Sequence, residues 1–547
     1  MRLIQLIKSL GNYDIYPGRS LTHKGRKTGK GCGCLKIEDF DVQGIACNSK
    51  QALNNFIFVA VKGTNNDGHK FIKEAIDKGA KAIVVQGSPA RHIRNAGGLP
   101  PEYEISEREE FRVLPPDISE TQAGSRQNMK SLSGKGSEEA SFIKVKDTRL
   151  ALAKLAVKFY DHPSSNIKVI GITGTNGKTT VSYLIEALLK EAGFAPAVIG
   201  TVNYRFKNRV IPSKNTTPGP LELQSMLADM VREKINYAIM EVSSHALSQD
   251  RTEGIAFHSS IFTNLTQDHL DYHKTWESYF QAKAKLFKNI GPDSFAVINN
   301  DNRYSQRLKE LIHGKKIITY AIDGPADIVA GDIKFNISHT EFVLMYAKKK
   351  INFKTRLIGR HNVYNILASF AWGIKEGLHP AIIKSGLERF HFVPGRLERI
   401  HCQKNFVVFV DYAHTQDALT NVIRALRQIS SKRIIVTFGC GGERDKTKRP
   451  KMGYAASELA DYVIITNDNP RSEDPQKIIG DIKRGIRKNN YCIVPDREEA
   501  IRKSLSLAQP KDIVLIAGKG HENCQILKNE TVHFDDREVV KECLMST

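Results

Sequence analysis

Three stretches carry side chains whose types and spacing could do chemistry. The first is "KVIGITGTNGKTT" (168–180), with glycines at 171, 174 and 177, then Lys178, Thr179 and Thr180. A glycine-rich turn between strand and helix aims backbone N–H groups and a helix N-terminus at phosphate oxygens. A lysine after the last glycine can reach β- and γ-phosphates, and the next hydroxyl can hold Mg2+. The general phosphate-loop pattern asks for glycine where Ile172 stands. The second stretch is "TWESYFQAKAKLFKNI", where Trp276, Tyr279, Phe280, Leu286 and Phe287 form one apolar stripe. Lys283 falls on that stripe and Lys285 off it. Burial disfavours an ammonium, and a neutral amine can take up CO2 to become a carbamate, an anion suited to Mg2+. A lysine that snorkels to solvent is the plainer alternative. The third is "TNDNPRSEDP" (466–475), a dense polar cluster that closes the apolar run "DYVIIT". A guanidinium such as Arg471 suits a carboxylate partner. Asp474 followed by Pro475 reads as a helix start, so "SEDP" is expected chiefly to serve the next helix.

These groups need elements to position them. Lys168–Ile172 reads as a strand, and Val181, Leu184, Ile185, Leu188 and Leu189 recur at helical spacing before Gly193, so strand, loop and helix agree. Upstream, "FIFVAV", a helix, a stop at Gly79 and a strand at 82–85 outline a small α/β domain over 1–87. Residues 88–142 are rich in Ser, Gly, Pro and charge and are expected to form a disordered insertion or linker. Strands and helices then alternate, which argues for parallel sheets covered on both faces. We place a central α/β domain over 143–395. A doubly wound third domain follows over 396–547, whose functional loops follow the strands "FVVFVDYAH", "RIIVTFGCGG", "DYVIITNDNP" and "DIVLIAGKG".

The chain has 547 residues, which suits two to four domains, and a hydrophobic fraction of 41% allows a sizeable core. Its eight cysteines include no Cys-x-x-Cys, and Cys32 and Cys34 are the only close pair, so neither a zinc site nor a disulfide framework is expected. No apolar run has the length of a membrane helix, and the first ten residues lack the features of a secretory signal. The cytoplasm is the expected compartment. The net charge of +22 is spread along the chain, apart from the glycine-rich run 24–36. It fits anionic small substrates better than nucleic acid, for which no recognition helix or aromatic–basic pattern is seen.

"GTNGKTT" resembles the phosphate loop of the ATP-dependent Mur ligases and folylpolyglutamate synthases. In chain order it is joined by "NTTPGPLELQ", "MEVSSHALSQDR", "FTNLTQDHLDYH", "YFQAKAKLF", "GRHNVYN", "PGRLE", "DYAHTQDAL", "FGCGGERDKTKRPKMG", "DNPRSEDP" and "AGKGHE". This set is similar to that branch of the Mur ligase family that adds the third residue of the peptidoglycan peptide. The resemblance implies three domains, a UDP-binding first domain among them, and phosphorylation of a substrate carboxylate by ATP, followed by attack of an amine on the acyl phosphate. It implies ATP contacts at Gly174, Thr175, Asn176, Gly177, Lys178, Thr179 and Thr180, with His361, Asn362 and Asn365 on the adenine side and Arg396 and Asp411 nearby. Glu241, His269, Thr179 and a carbamylated Lys283 are implied as the Mg2+ site, and Lys178, Glu241, His269 and Lys283 as the catalytic group.

For UDP-N-acetylmuramoyl-L-alanyl-D-glutamate the resemblance implies Ser49, Asn215, Thr216, Thr217, Ser243, Gln249 and Arg251. The family's Asp-Ser-Arg stretch is here "NSK", with Asn48 and Lys50 on either side of Ser49. For meso-diaminopimelate it implies Arg444, Asp468, Asn469, Pro470, Arg471, Gly518 and Glu522. A monomer is expected, with no nucleic acid and no membrane insertion. Two enzymatic alternatives are a lysine-adding Mur ligase, which would lack the arginine of "DNPR", and a folylpolyglutamate-type ligase, which would need no UDP-binding domain. A basic nucleotide- or nucleic-acid-binding protein is the non-enzymatic alternative.

Overall fold

The computed structural model describes residues 1–16, 39–63, 66–87 and 140–545. The expected insertion lies outside them except for its last residues, and so do the basic run 24–36 and the Cys32/Cys34 pair. Among the described residues no helix is long and apolar enough to cross a membrane.

The chain divides into two units. The first comprises Met1–Pro163 with Gly219–Ala228 and Gln249–Ile255. Its sheet runs Asp14–Tyr16, Ser141–Val145, Ala80–Gln86, Phe56–Val59 and Gly44–Ala46, parallel except for the first pairing. The helix Leu3–Ile7 buries Leu3, Leu6 and Ile7, the spacing that one helix face requires. Thr148–Phe159 adds a second helix, capped by Asp147, whose carboxylate accepts from the N–H groups of Arg149 and Leu150. Gly79 ends the helix Ile72–Asp77 with φ +100°, and a Cβ there would stand 2.8 Å from Asn54 Cα.

The second unit comprises Ser164–Pro218, Asp229–Ser248 and Ala256–Thr547 and holds two large sheets. In the eleven-stranded sheet, Lys168–Thr173 lies between Tyr237–Glu241 and Phe257–Phe262, all parallel. Their C-terminal ends therefore open side by side, the usual place for ligands in such sheets. The strands are buried on both faces, beneath helices that include Lys178–Glu191 and Arg360–Lys375. At the opposite ends of the same three strands, Glu376 accepts from Lys168 Nζ (2.6 Å) and Tyr237 OH (2.8 Å) and pairs with His258 Nε2 (2.5 Å). The lysine-rich strand Lys349–Thr355 forms one edge of the sheet, where charge discourages pairing with another chain.

The six-stranded sheet runs Glu398–Ile400, Val407–Asp411, Ile513–Ala517, Ile434–Phe438, Tyr462–Ile465 and Tyr491–Ile493, parallel except for the first strand. This is the doubly wound arrangement expected. It sets the loops after Asp411, Ala517, Phe438 and Ile465 along one end of the sheet.

Candidate active site

The phosphate loop is built by close packing. Gly174 has φ +156°, and a Cβ there would collide with Thr263 Oγ1. Gly177 has φ +88°, and a Cβ there would lie 2.5 Å from Asn365 Oδ1. Only glycine meets both demands of backbone angle and space. The segment after Phe262 braces the loop. Thr175 N–H donates to Asn264 O (2.9 Å), Asn176 N–H to Asn264 Oδ1 (2.9 Å), and Thr263 Oγ1 to Asn176 O (2.6 Å). Lys178 then opens the helix, as its spacing predicted.

Two amines converge on this loop. Lys178 Nζ donates to the carbonyls of Gly174 and Thr175, each at 2.9 Å. Lys283 Nζ donates to the same Gly174 carbonyl, also at 2.9 Å. Lys283 is 2% exposed on the helix Trp276–Lys288, on the face that buries Tyr279, Phe280, Leu286 and Phe287, so it does not snorkel. Trp276, expected on the same stripe, is only partly buried. Burial pushes the Lys283 amine well below the ordinary lysine value, and Lys178 adds repulsion that Asp268 opposes. Lys178 is also lowered by burial, against the pull of Glu241 and Asp268. The neutral amine required for CO2 uptake is thus favoured where the apolar stripe placed it.

Beside the loop, Glu241 ends its strand buried. Its carboxylate accepts from Thr179 Oγ1 (2.8 Å), Thr201 N–H (2.9 Å) and Thr201 Oγ1 (2.9 Å). Thr201 Oγ1 also meets Thr216 Oγ1 at 3.1 Å, and Thr217 Oγ1 donates to the Glu241 carbonyl (2.8 Å) and lies 3.5 Å from Ser243 Oγ. Asn215 takes part through its carbonyl, which accepts from Tyr204 OH at 2.5 Å. His269 sits in the left-handed region at φ +54° and pairs with Asp268 at 3.3 Å. Partial burial and the neighbouring His245, Lys283 and Lys178 hold its imidazole below the usual pKa.

Among the described residues, no group of three or more His, Cys, Asp or Glu side chains is gathered to hold a metal. The expected Mg2+ set contains only two such residues, Glu241 and His269. The hydroxyl of Thr179 at Glu241 and a low-pKa Lys283 amine able to become a carbamate supply the oxygen donors a hard cation takes, so the set fits Mg2+ in kind.

On the far side of the loop, Asn362 Nδ2 donates to Ile358 O (2.9 Å) and Asn365 Nδ2 to Asn362 Oδ1 (3.1 Å), bonds local to the start of the helix Arg360–Lys375. His361 is lowered to about 4 by burial. Arg396 reaches Thr179 Oγ1 at 3.3 Å and lies over the Tyr412 ring, and its buried Nε has no hydrogen-bond partner. Asp411 accepts from the N–H groups of Leu397 (2.5 Å) and Ala413 (2.8 Å), while burial raises it to about 6. A cavity of about 870 Å³ borders Asn362 and Arg396 and is lined also by Thr355, Arg356, Leu357 and His391.

The loops of the six-stranded sheet form a second cluster. Arg471, at φ +54°, donates from Nη1 to the Gly442 carbonyl (2.7 Å). A Cβ on Gly441 would stand 3.0 Å from Arg471 Nη1 and 3.9 Å from Arg444 Cγ, so both arginines border one small space. Burial and Arg444 lower the Arg471 pKa, against Asp468, Glu522 and Glu443. Asn469 Nδ2 donates to Glu522 Oε2 at 2.8 Å. Gly518, at φ +120°, leaves no room for a side chain, since its Cβ would stand 2.7 Å from Asp468 Oδ2. Pro470 precedes Arg471 in the same turn, and its carbonyl accepts from Glu473 N–H at 3.1 Å.

"SEDP" departs from its expected role. Asp474 does cap the helix Pro475–Lys483, accepting from Gln476 N–H at 2.9 Å. Ser472 instead donates to Glu443, and Glu473 pairs with the buried Arg449 at 3.0 Å and accepts from Glu443 N–H at 2.5 Å. These two residues bind the 441–446 loop rather than starting the helix.

In the first unit, Ser49 Oγ donates to Glu74 Oε2 (2.7 Å), and Asn48 accepts from Lys50 N–H (3.0 Å). Gln249 Oε1 accepts from Arg251 at 3.0 and 2.7 Å, so these two expected substrate contacts form one pair.

Several residues escaped sequence reasoning. Thr201 holds Glu241. Asp417 accepts from Asn176 Nδ2 (2.8 Å) and Thr266 Oγ1 (3.0 Å), tying the phosphate loop to the helix Gln416–Ile429. Arg497 lies fully buried in a two-pronged pair with Asp536 (2.7 and 2.8 Å) and donates to the Asn467 and Ala517 carbonyls, directly beneath two of the loops. "DYAHTQDAL" contained the signal for Asp417, an acid next to chemistry-bearing residues.

A phosphate loop, a buried lysine aimed at it and a pocket bordered by two arginines in a neighbouring sheet are the features of a nucleotide-dependent ligase. Residues 41–160 match the Mur ligase family catalytic domain, 172–373 the Mur ligase middle domain, and 395–520 the Mur ligase glutamate ligase domain. The UDP-N-acetylmuramoyl-L-alanyl-D-glutamate–2,6-diaminopimelate ligase 1 of Clostridium acetobutylicum is 41% identical over 93% of this chain and 96% of its own length. The ligase of the same kind from Clostridium tetani is 41% identical over 92% and 95%. A solved structure of a UDP-N-acetylmuramoyl-L-alanyl-D-glutamate–2,6-diaminopimelate ligase superposes with TM-score 0.60 at 29% identity, covering 92% of this chain and 95% of that one. The chain belongs to the Mur ligase family.

Proposed function

We propose that the protein is an ATP-dependent ligase that joins meso-diaminopimelate to the D-glutamate carboxylate of UDP-N-acetylmuramoyl-L-alanyl-D-glutamate. The step extends a dipeptide to a tripeptide in cytoplasmic synthesis of peptidoglycan precursors. The observation that carries the reading is the convergence of Lys178 and Lys283 on one loop carbonyl beside the Thr179–Glu241 pair. The choice of amino acid draws further support from Arg471 and from the names of the relatives.

The substrate carboxylate attacks the γ-phosphorus of ATP and ADP leaves. The amine then attacks the acyl carbon, phosphate leaves, and the nitrogen gives up a proton. Such chemistry depends on positioning and on neutralising charge. Backbone N–H groups of Gly174 and of Gly177 to Thr180 cradle the phosphates, while those of Thr175 and Asn176 stay with Asn264, and Lys178 exchanges its loop carbonyls for phosphate oxygens. Arg396, with an unpartnered Nε, adds a cation at Thr179. His361, Asn362 and Asn365 serve the nucleoside, Asn362 beside the cavity it borders, with Asp411 fixing the backbone of the Arg396 turn. Thr179, Glu241, His269 and a carbamylated Lys283 would hold Mg2+, which would supply neutralisation of the phosphate charge. Ser49 is assigned to the UDP end, and Asn215, Thr216, Thr217, Ser243, Gln249 and Arg251 to the muramoyl-peptide. Arg444 and Arg471 take the distal carboxylate of diaminopimelate, and Glu522, with Asp468, Asn469, Pro470 and Gly518 shaping the pocket, takes its distal ammonium.

The test is phosphate release by purified protein given ATP, Mg2+, the UDP-muramoyl-dipeptide and meso-diaminopimelate, omitting each in turn. Release should require all of them. Lys283→Ala should abolish release, and a short carboxylic acid should restore part of it. Full activity of Lys283→Ala without the acid overturns the carbamate role, and release with lysine but not diaminopimelate overturns the substrate.

A further inference from the structure

Lys519 has no role in the reaction as described, yet its side chain is completely buried in the amino-acid pocket. Its Nζ donates to Cys524 O (2.5 Å) and Asn469 Oδ1 (3.1 Å) and pairs with Glu522 Oε2 (3.3 Å). Asn469 Nδ2 donates to that same Glu522 oxygen, and Tyr412 OH reaches the other at 3.4 Å. A fully buried ammonium is tolerated only with such partners. Lys519 therefore fixes the carboxylate assigned to the substrate's distal ammonium, and offsets its charge.

The charges around the pocket are close to balanced. Arg444, Arg471 and Lys519 stand against Glu522, Asp468 and Glu443, the acids that face Arg471, and the buried Arg497, which also faces Asp468 and Glu522, is matched by Asp536. A balanced pocket suits an end group that is itself neutral overall. The distal end of diaminopimelate carries both an ammonium and a carboxylate, whereas that of lysine carries a bare ammonium. Without Lys519 the acids would be in excess, and a bare ammonium would be welcome.

We propose that Lys519 is a specificity-determining positioning residue, which sets the charge balance of the pocket so that a zwitterionic end group is accepted and a lone ammonium is rejected. Discrimination of this kind works by raising the cost of the wrong partner as well as by holding the right one. The proposal rests on the substrate reading above.

The experiment compares kcat/KM for meso-diaminopimelate and L-lysine in three proteins, with ATP, Mg2+ and the UDP-muramoyl-dipeptide saturating. Wild type should prefer diaminopimelate. Lys519→Met, which keeps length and removes charge, should lower the diaminopimelate-to-lysine ratio by about tenfold or more, the scale on which one charge in a partly desolvated site acts. Glu522→Gln should move the ratio the other way, because the cations are then in excess. It also keeps the proposal testable if Lys519→Met fails to fold. A purely structural Lys519 would lower both substrates together and leave the ratio unchanged. An unchanged or raised ratio in Lys519→Met, or a lowered one in Glu522→Gln, overturns the proposal while the substrate reading stands. A wild type that does not prefer diaminopimelate overturns both.

Discussion

Glu376 offers the sharpest test of how the sheet beneath the phosphate loop is held. Its side chain is 4% exposed and joins the N-terminal ends of three adjacent strands through Lys168, Tyr237 and His258. Although burial pulls the other way, these partners hold its carboxyl at about 2, against an ordinary 4.5. That difference is worth about 3 kcal/mol of stability at neutral pH. Lys168 is half exposed, so solvent screening reduces the contribution, and about 2 kcal/mol is expected from Glu376→Gln. The sign follows from the depressed acid: the folded protein binds fewer protons than the unfolded chain. The stability is therefore fully present above about pH 4.5 and disappears as pH falls toward 2. Both tryptophans, Trp276 and Trp372, lie in the second unit, and Trp372 packs edge-on to Tyr237, so urea unfolding followed by tryptophan fluorescence reports on this unit. Wild type and Glu376→Gln should differ at pH 7, and the gap should narrow below pH 4 and close as pH approaches 2. A gap that stays constant with pH, or one below about 0.5 kcal/mol at pH 7, would refute the reasoning.

Gly174→Ala should weaken ATP binding by about a hundredfold or more, measured by calorimetry, because the new Cβ meets Thr263 and the backbone angle is strained. Arg471→Lys keeps charge and loses the planar fork, so the KM for diaminopimelate should rise about tenfold with the KM for ATP unchanged. Arg497→Lys leaves Asp536 short of its two-pronged partner in a fully buried pair; about 3 kcal/mol of stability should be lost, read by urea unfolding of the second unit, with diaminopimelate affinity falling in step.

Local patterns were the legible part. The strand–loop–helix around Lys178, the buried stripe with Lys283 on it and the Asp474 cap each depend on residues close together in sequence, and Lys178, Lys283 and Asp474 each stand where that spacing put them. The doubly wound sheet was legible too, because buried parallel strands read as apolar runs closed by polar loops. Residues whose role depends on distant partners were not legible. Arg497 in "PDREEA", Arg449 in "DKTKRP" and Glu376 at a helix end all look like solvated surface charge. Each is buried only because another part of the chain folds over it. Lys519, between two glycines, looked like loop backbone, and nothing local marks Asn469 and Glu522 as its neighbours. Ser472 and Glu473 look in sequence like part of the next helix start, and their partners, Glu443 and Arg449, come from the loop and the helix that follow a neighbouring strand.

The most direct measurement is a competition. Purified protein is given ATP, Mg2+, UDP-N-acetylmuramoyl-L-alanyl-D-glutamate and equal concentrations of meso-diaminopimelate and L-lysine, and the nucleotide product is identified by mass. The account predicts the diaminopimelate-containing tripeptide with ADP and phosphate formed in equal amounts. A lysine-containing product, or ATP hydrolysis with no UDP-linked product at all, would contradict it.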